Sequence, residues 1–234
     1  MKLHLGVIPA LRLINANEYD IARMMAIGEL DSPQTYKNVT LFKLRITGTA
    51  MAYRPKLNEY AYRLPENYLT DEFVARCNGL TVVMLHPKEN ILNSDEYISR
   101  NVGSVMLPYI QGDEVWAIAK IYYDPVIELL KNKQMSTSPA VLLEKSIGWN
   151  LPDGSSFIVE GEPSLLDHVA ICTRGVWDLG GEPSGVESSL VEIKVDSDEQ
   201  RVDSIEVHQE IIKQTDFSKM NRYVKATRLR IACM

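Results

Sequence analysis

The sequence predicts an α+β domain with a mostly antiparallel β core, flanked by short helices and followed by a C-terminal extension. Three observations predict this. Short apolar runs rich in β-branched residues alternate with short helical segments, but without the regular strand–helix–strand rhythm that builds a doubly wound parallel sheet. Tight-turn signals such as Gly112-Asp113 join neighbouring runs, as in antiparallel hairpins. The 234 residues, 45% of them hydrophobic, are enough for one sizeable core plus extensions. Composition and punctuation divide the chain into 1–35 as an N-terminal extension, 36–180 as the central domain, and 181–234 as linker and tail.

Taken in order, Asn17 to Leu30 has helical spacing, with Ile21, Met24, Met25 and Ile27 on one side and Asn15 or Asn17 available as cap. The methionines read as core filler. Asn38 to Tyr53 sets Val39, Leu41, Lys43 and Arg45 against Thr40, Phe42, Leu44 and Ile46, the alternation of one long strand. A short helix fits Asp71 to Cys77, an apolar strand runs from Leu80 to Leu85, and Asn93 or Ser94 caps a helical turn reaching Arg100. Val102–Val105 and Val115–Ala119 flank the Gly112-Asp113 turn. At Asp124-Pro125, Asp as cap and Pro at the first helical position start a helix through Leu130. A serine-rich strand, Met135–Val141, follows; Gly148 to Gly161, with Asp153-Gly154 at its turn, reads as a hairpin, and Val169–Cys172 as another strand. Gly180-Gly181-Glu182-Pro183-Ser184-Gly185 reads as a linker, Asp196–Arg201 as a solvated charged run. Ile205, Ile211 and Ile212 suggest a further helix, then Lys219, Arg222, Lys225, Arg228 and Arg230 form a basic tail. His208 lies there and carries no assigned chemistry.

Charge and composition exclude several function classes. A net charge of −6 and a pI near 5.3 oppose nucleic-acid binding, which needs a basic face. Three cysteines, Cys77, Cys172 and Cys233, with no C-x-x-C spacing, suggest neither a disulfide framework nor a zinc ribbon, and fit a reducing compartment. The first nine residues make a poor signal peptide and no run of about 18 apolar residues occurs, so no membrane partner is expected.

Composition is compatible with hydrolytic chemistry and does not demand it. A serine hydroxyl needs an adjacent base to take its proton and a third group to hold that base in the right tautomer. His86 ends one apolar run, His168 opens another, and Ser136 and Ser138 lie in the strand between them in the chain. A histidine beside a strand is ordinarily a satisfied edge residue, and serines in such strands ordinarily bond to backbone. The wording around these residues decides the reading.

Leu64-Pro65-Glu66-Asn67-Tyr68, then Val82-Val83-Met84-Leu85-His86-Pro87, then the Gly103 strand pair, the Asp124 helix, Ser138-Pro139-Ala140-Val141 and Asp167-His168-Val169-Ala170 stand in one order. Over roughly Leu64 to Asp178 this order resembles the prohead (capsid maturation) proteases of tailed phages, a family similar to herpesvirus assemblin. The resemblance implies an assemblin-like barrel over 36–180, with His86 as general base, Ser138 as nucleophile and His168 as third member. Ala140 and Val141 depart from the family's S-x-G-aromatic pattern, and Ser136 is the substitute nucleophile if the register slips by two. Arg174, shortly after the His168 strand, is the side-chain oxyanion candidate, since related enzymes use an arginine near this point.

The implied function is a serine endopeptidase that processes scaffold, the major capsid protein or itself during prohead maturation. Scaffold and major capsid protein are then the expected partners, self-association a further one, and the host cytoplasm, inside the assembling prohead, the expected place. The tail at 181–234 would bind scaffold or be cut away. No cofactor and no metal are called for. Three other readings compete: a protease-fold structural or scaffolding component of the capsid without catalysis, which the missing glycine favours; a metal-dependent hydrolase through His86, His168 and Asp167; and a thiol enzyme through Cys172. Adjacent Asp167 and His168 should point to opposite faces of a strand, and no H-E-x-x-H spacing is present, which disfavours the metal enzyme. Cys172 sits in an apolar run where a buried inert thiol is expected.

Overall fold

The computed structural model describes residues 16–54, 57–150, 156–178 and 182–188. Its first element is helix α1 (Glu18–Ala26), started by an Asn17 capping box in which the Asn17 side chain accepts from backbone and Asp20 reaches back. Strands β1 (Gln34–Tyr36) and β2 (Val39–Gly48) form a hairpin, and then the strand is interrupted. The expected single strand to Tyr53 is two: at Ala50, with φ +67, β2 gives way to β3 (Ala50–Arg54), which leaves for another sheet. β3 pairs with β4 (Glu59–Arg63). Helices α2 (Pro65–Tyr68) and α3 (Asp71–Cys77) follow, α3 capped by the Thr70 hydroxyl, which accepts from Phe73 N–H. After β5 (Thr81–Met84) comes α4 (Ser94–Arg100), capped by Asn93. β6 (Asn101–Gln111) and β7 (Glu114–Ile121) meet at Gly112, whose φ of +64 suits the two-residue turn. Helix α5 (Asp124–Asn132) begins as expected at Asp124-Pro125, with one correction: Tyr123 is the cap, and no side chain bonds there.

β8 (Ser136–Leu143), β9 (Ile147–Asn150), β10 (Ser156–Val159), β11 (Pro163–Cys172) and β12 (Val186–Glu187) complete the described fold. The main sheet runs β1-β2-β7-β6-β5-β11-β8, antiparallel except for the β5–β11 pair, and curls into a half-barrel. A smaller sheet, β3-β4-β10-β9, includes the antiparallel β9–β10 hairpin expected in this region, whose Asp153-Gly154 turn lies outside the described residues.

The inner face of the curl is the core. Phe42, Leu44, Ile46, Val82, Val105, Ala117, Ala119, Val169 and Ile171 pack there with Phe73 of α3 and Leu130 of α5. The other face of β2 and β7 is covered by α1, whose Ile21, Ala22 and Met25 bury Val39, Leu41 and Ile118. Residues 18–35, read from sequence as part of an extension, therefore pack as part of the domain.

So do residues 182–188, read as linker. β12 adds to β2, with Val186 opposite Leu44, while Val186 N–H donates to Met135 O at 3.1 Å, so this segment bridges β2 to the chain entering β8. Gly185 is required by proximity. A Cβ there would lie 2.3 Å from Thr137 N. Asp178 fastens the same corner by accepting from Arg45 Nη2 (3.0 Å), Ser136 Oγ (2.5 Å), Gly175 N–H (2.6 Å) and Ser184 N–H (3.0 Å). The later linker, charged run, His208, Cys233 and the basic tail lie outside the described residues.

A second buried charge cluster lies in the smaller sheet and reaches β2, where Arg63 Nη1 donates to the Thr47 hydroxyl. Glu160, 1% exposed, accepts from Arg63 Nε at 2.6 Å, from Arg63 Nη2 at 3.1 Å and from Arg54, which Glu59 also holds at 2.9 Å. Arg63 stacks over the rings of Tyr68 and Trp177. Paired carboxylates and aromatic faces make these buried guanidinium groups tolerable.

Candidate active site

Strand β11 is flanked by β5, parallel to it, and β8, antiparallel to it; β8 carries the serines, β11 carries His168, and His86 follows the end of β5. His168 is mid-strand in β11 rather than at its opening. The register aligns Val83, Ala170 and Ser138 across the three strands, and Thr81, His168 and Ala140 one step away. Residues directly opposite share a face, and residues two apart on one strand share it too. Val169, Ile171 and Val82 are in the core, so His168, Ala170, Ser138 and Val83 are on the opposite face.

His86 would not reach this face by simple continuation of β5. Leu85 adopts φ +64, the left-handed region that a leucine rarely occupies, while its N–H still donates to Ile171 O at 3.0 Å. This reversal brings the His86 ring to His168. Nδ1 of His86 lies 2.9 Å from Nε2 of His168, with ring centroids 5.1 Å apart and planes tilted by 59°. Ala170, on the strand between Val83 and Ser138, contributes only a methyl to that face.

Behind His168, its Nδ1 lies 2.7 Å from Asp167 Oδ2, which also accepts from Leu92 N–H at 2.9 Å. The three side chains form one line of hydrogen bonds, and the carboxylate end fixes its direction. A carboxylate only accepts, so His168 donates from Nδ1 and accepts at Nε2; His86 then donates from Nδ1, and its lone pair is on Nε2. That is the tautomer of a general base. His168 is fully buried, which holds its pKa below the ordinary value, against the opposing pull of the Asp167 carboxylate.

Asp167 and His168 were expected on opposite faces. The register of β11 against β8 shifts between Leu166 and His168, and at this irregularity the two neighbours bond to each other instead. Among the described residues no group of three His, Cys, Asp or Glu side chains is arranged to hold a metal.

The two serines differ in surroundings. Ser138 shares the face of the histidines on the next strand, and is buried, as is His86. Ser136 is bonded to Asp178 in the corner that joins β8 to β2. Ala140, where the family pattern has glycine, is opposite His168, and its methyl is accommodated at 1% exposure. Arg174 is exposed in the bend after β11, where its carbonyl accepts from Cys172 Sγ at 3.0 Å; the structure does not bring its side chain into the line of histidines. Cys172 is buried at the end of β11.

Asp167 entered the sequence reasoning only as a ligand of the disfavoured metal site, and its place behind His168 in a serine site was missed. Its signal was present in the Asp-His-Val-Ala order, but period-2 geometry argued it away. Among the described residues no helix is long and apolar enough to cross a membrane. No family model matches the chain, and no curated protein and no solved structure matches it either.

Proposed function

We propose that the chain is a serine endopeptidase of the prohead-protease kind, similar to assemblin, that processes scaffold, the major capsid protein or itself during phage capsid maturation. The observation that carries this is the directed line Asp167–His168–His86, placed on the same sheet face as Ser138 of the neighbouring strand. The motif order His86-Pro87, Ser138-Pro139-Ala140, His168-Val169-Ala170 supports the family assignment and with it the capsid substrates.

In this reading Ser138 Oγ attacks the scissile carbonyl while His86 Nε2 takes its proton. The tetrahedral intermediate collapses, the C–N bond breaks, and His86 returns the proton to the leaving amine. Water, deprotonated by the same nitrogen, then releases the acyl group from Ser138. Oxyanion donors contribute about 3 to 4 kcal/mol each in other enzymes; Arg174, exposed after β11, could serve only if its side chain turned toward Ser138.

A specific observation favours the alternative of a structural capsid component: Ser138 and His86 are both buried, so a peptide reaches them only if that face opens. Co-expression with the capsid and scaffold proteins, followed by intact-mass measurement, separates the two readings. A protease cuts a partner or itself, and Ser138→Ala and His86→Ala stop the cutting. Uncut partners beside the wild type would move the assignment to the structural component.

A further inference from the structure

We infer that Asp167 is a positioning residue of the active site, a carboxylate that locks His168 in its Nδ1–H tautomer and through it supplies negative charge to the His86 imidazolium formed in the reaction. The inference rests on the serine-hydrolase reading above and deepens it.

A serine, a base and a second histidine alone leave two questions open. A neutral imidazole has two tautomers, and only the Nδ1–H form of His168 presents an acceptor to His86 Nδ1. A neutral third member also gives no full charge to set against the imidazolium. Asp167 answers both: its Oδ2 is 2.7 Å from His168 Nδ1, and His168 Nε2 is 2.9 Å from His86 Nδ1. When His86 takes the serine proton, the positive charge is two hydrogen bonds from a carboxylate, in surroundings where both rings are buried. Buried charge interactions are screened less than exposed ones.

The carboxylate is itself held. Leu92 N–H donates to the same Oδ2, tying the segment between His86 and α4 to β11. Among the described residues, two charged groups act on His168. On β11 there is Asp167; on α4 there is Arg100, ion-paired with Glu96, which acts against protonation of His168. Burial works in the same direction as Arg100, so Asp167 is the group that favours positive charge on His168.

Asp167→Asn is the informative variant, because asparagine keeps the shape and an acceptor oxygen but loses the charge. The probe is an alkyl fluorophosphonate, with which an activated serine forms an Oγ–P bond as the P–F bond breaks and HF leaves. The full chain is compared as wild type, Asp167→Asn, Asp167→Glu and Ser138→Ala, with labelling rate measured against pH and histidine tautomers read by long-range 15N–1H NMR. In the wild type His168 is the Nδ1–H tautomer and Ser138 is labelled. Asp167→Asn slows labelling by about 10²-fold, less than loss of a directly bonded carboxylate costs, and lowers the acid-limb pKa of the coupled pair by about one unit. Asp167→Glu recovers part of the rate.

Loss of the Leu92 bond alone would change stability but leave the acid limb in place. An Asp167→Asn protein labelled within threefold of the wild type, with the same acid limb, overturns the role of Asp167 and leaves the serine hydrolase standing. A wild type with the expected tautomer but an unlabelled Ser138 overturns the hydrolase reading, and the catalytic role of Asp167 with it.

Discussion

Replacing the two serines of β8 separately tests the assignment of roles along that strand. Ser136 donates to Asp178 Oδ1 at 2.5 Å, with both side chains almost completely buried. A hydrogen bond to a charged group contributes about 1.5 to 3 kcal/mol net. Asp178 keeps Arg45 and the N–H groups of Gly175 and Ser184, so Ser136→Ala should sit at the lower end, about 1.5 kcal/mol. For a domain of this size that is a fall in Tm of about 3 to 6 °C. Ser138→Ala removes one hydroxyl from a face where Ala140 already places a methyl, and should cost no more than an ordinary hydrogen bond, about 1 kcal/mol. Thermal melts followed by circular dichroism, beside intact-mass detection of fluorophosphonate labelling, give both readouts on one sample. Ser136→Ala is expected to be less stable yet labelled, and Ser138→Ala to fold and remain unlabelled. A Ser136→Ala protein that melts like the wild type and resists labelling would refute the reasoning, because it would place the nucleophile two residues earlier.

Other outcomes follow from the same geometry. Ala170→Val puts a branched side chain between Val83 and Ser138 on the face that His86 occupies, so labelling should fall at least tenfold while the chain still folds, as checked by circular dichroism. Glu160→Gln leaves Arg63 and Arg54 without their shared buried carboxylate; loss of one partner of a buried ion pair costs about 3 to 5 kcal/mol, on the order of a 10 °C fall in Tm. Burial lowers the pKa of His168, so the unfolded chain binds the proton more readily than the fold does. Stability should therefore decline as pH drops below the ordinary histidine value of 6.5, and denaturant midpoints measured between pH 7.5 and 5 would show it. A flat profile would mean that the dyad does not contribute to acid sensitivity.

Local signals were legible in the sequence and long-range ones were not. The Asn17 and Asn93 caps and the Gly112 turn are decided by side chains within a few residues, and each forms as read. Ala50 breaks the first long strand through a positive φ that alanine does not advertise. The segment around Gly185 has the composition of a linker, yet its glycine is there because Thr137 of another strand approaches too closely for a side chain. The alternation of β2 was read correctly, but burial of both its faces depends on α1 and on Asp178 more than 130 residues away. The same limit applies to the site. His86, Ser138 and His168 were visible as residue types in a suggestive order; the bond between Asp167 and His168 depends on a register irregularity that only the pairing with β8 reveals.

The position of Ser138 also ties the charge network of the closing corner to the chemistry. β8 pairs with β11 along one side, from Pro163 opposite Leu143 to Cys172 opposite Ser136, and on the other side it would be a bare edge. The chain entering it is held there by Val186 N–H on Met135 O, by the Thr137 hydroxyl on Arg45 O, and by Ser136 on Asp178. Ser138 stands next to these anchors, His168 belongs to β11, and His86 follows the end of β5 on the far side of β11. In the proposed reaction a nucleophile on β8 and a base just past β5 keep their geometry only if both segments are fixed to within a fraction of an ångström. Asp178→Asn, which weakens the anchor but touches neither histidine, should therefore reduce the rate of Ser138 labelling while leaving the His168 tautomer and the acid limb unchanged. Asp167→Asn changes both. The two carboxylates are thus separable by experiment: on the proposed reading Asp178 fixes where the strand of Ser138 lies, and Asp167 fixes the protonation of the histidines.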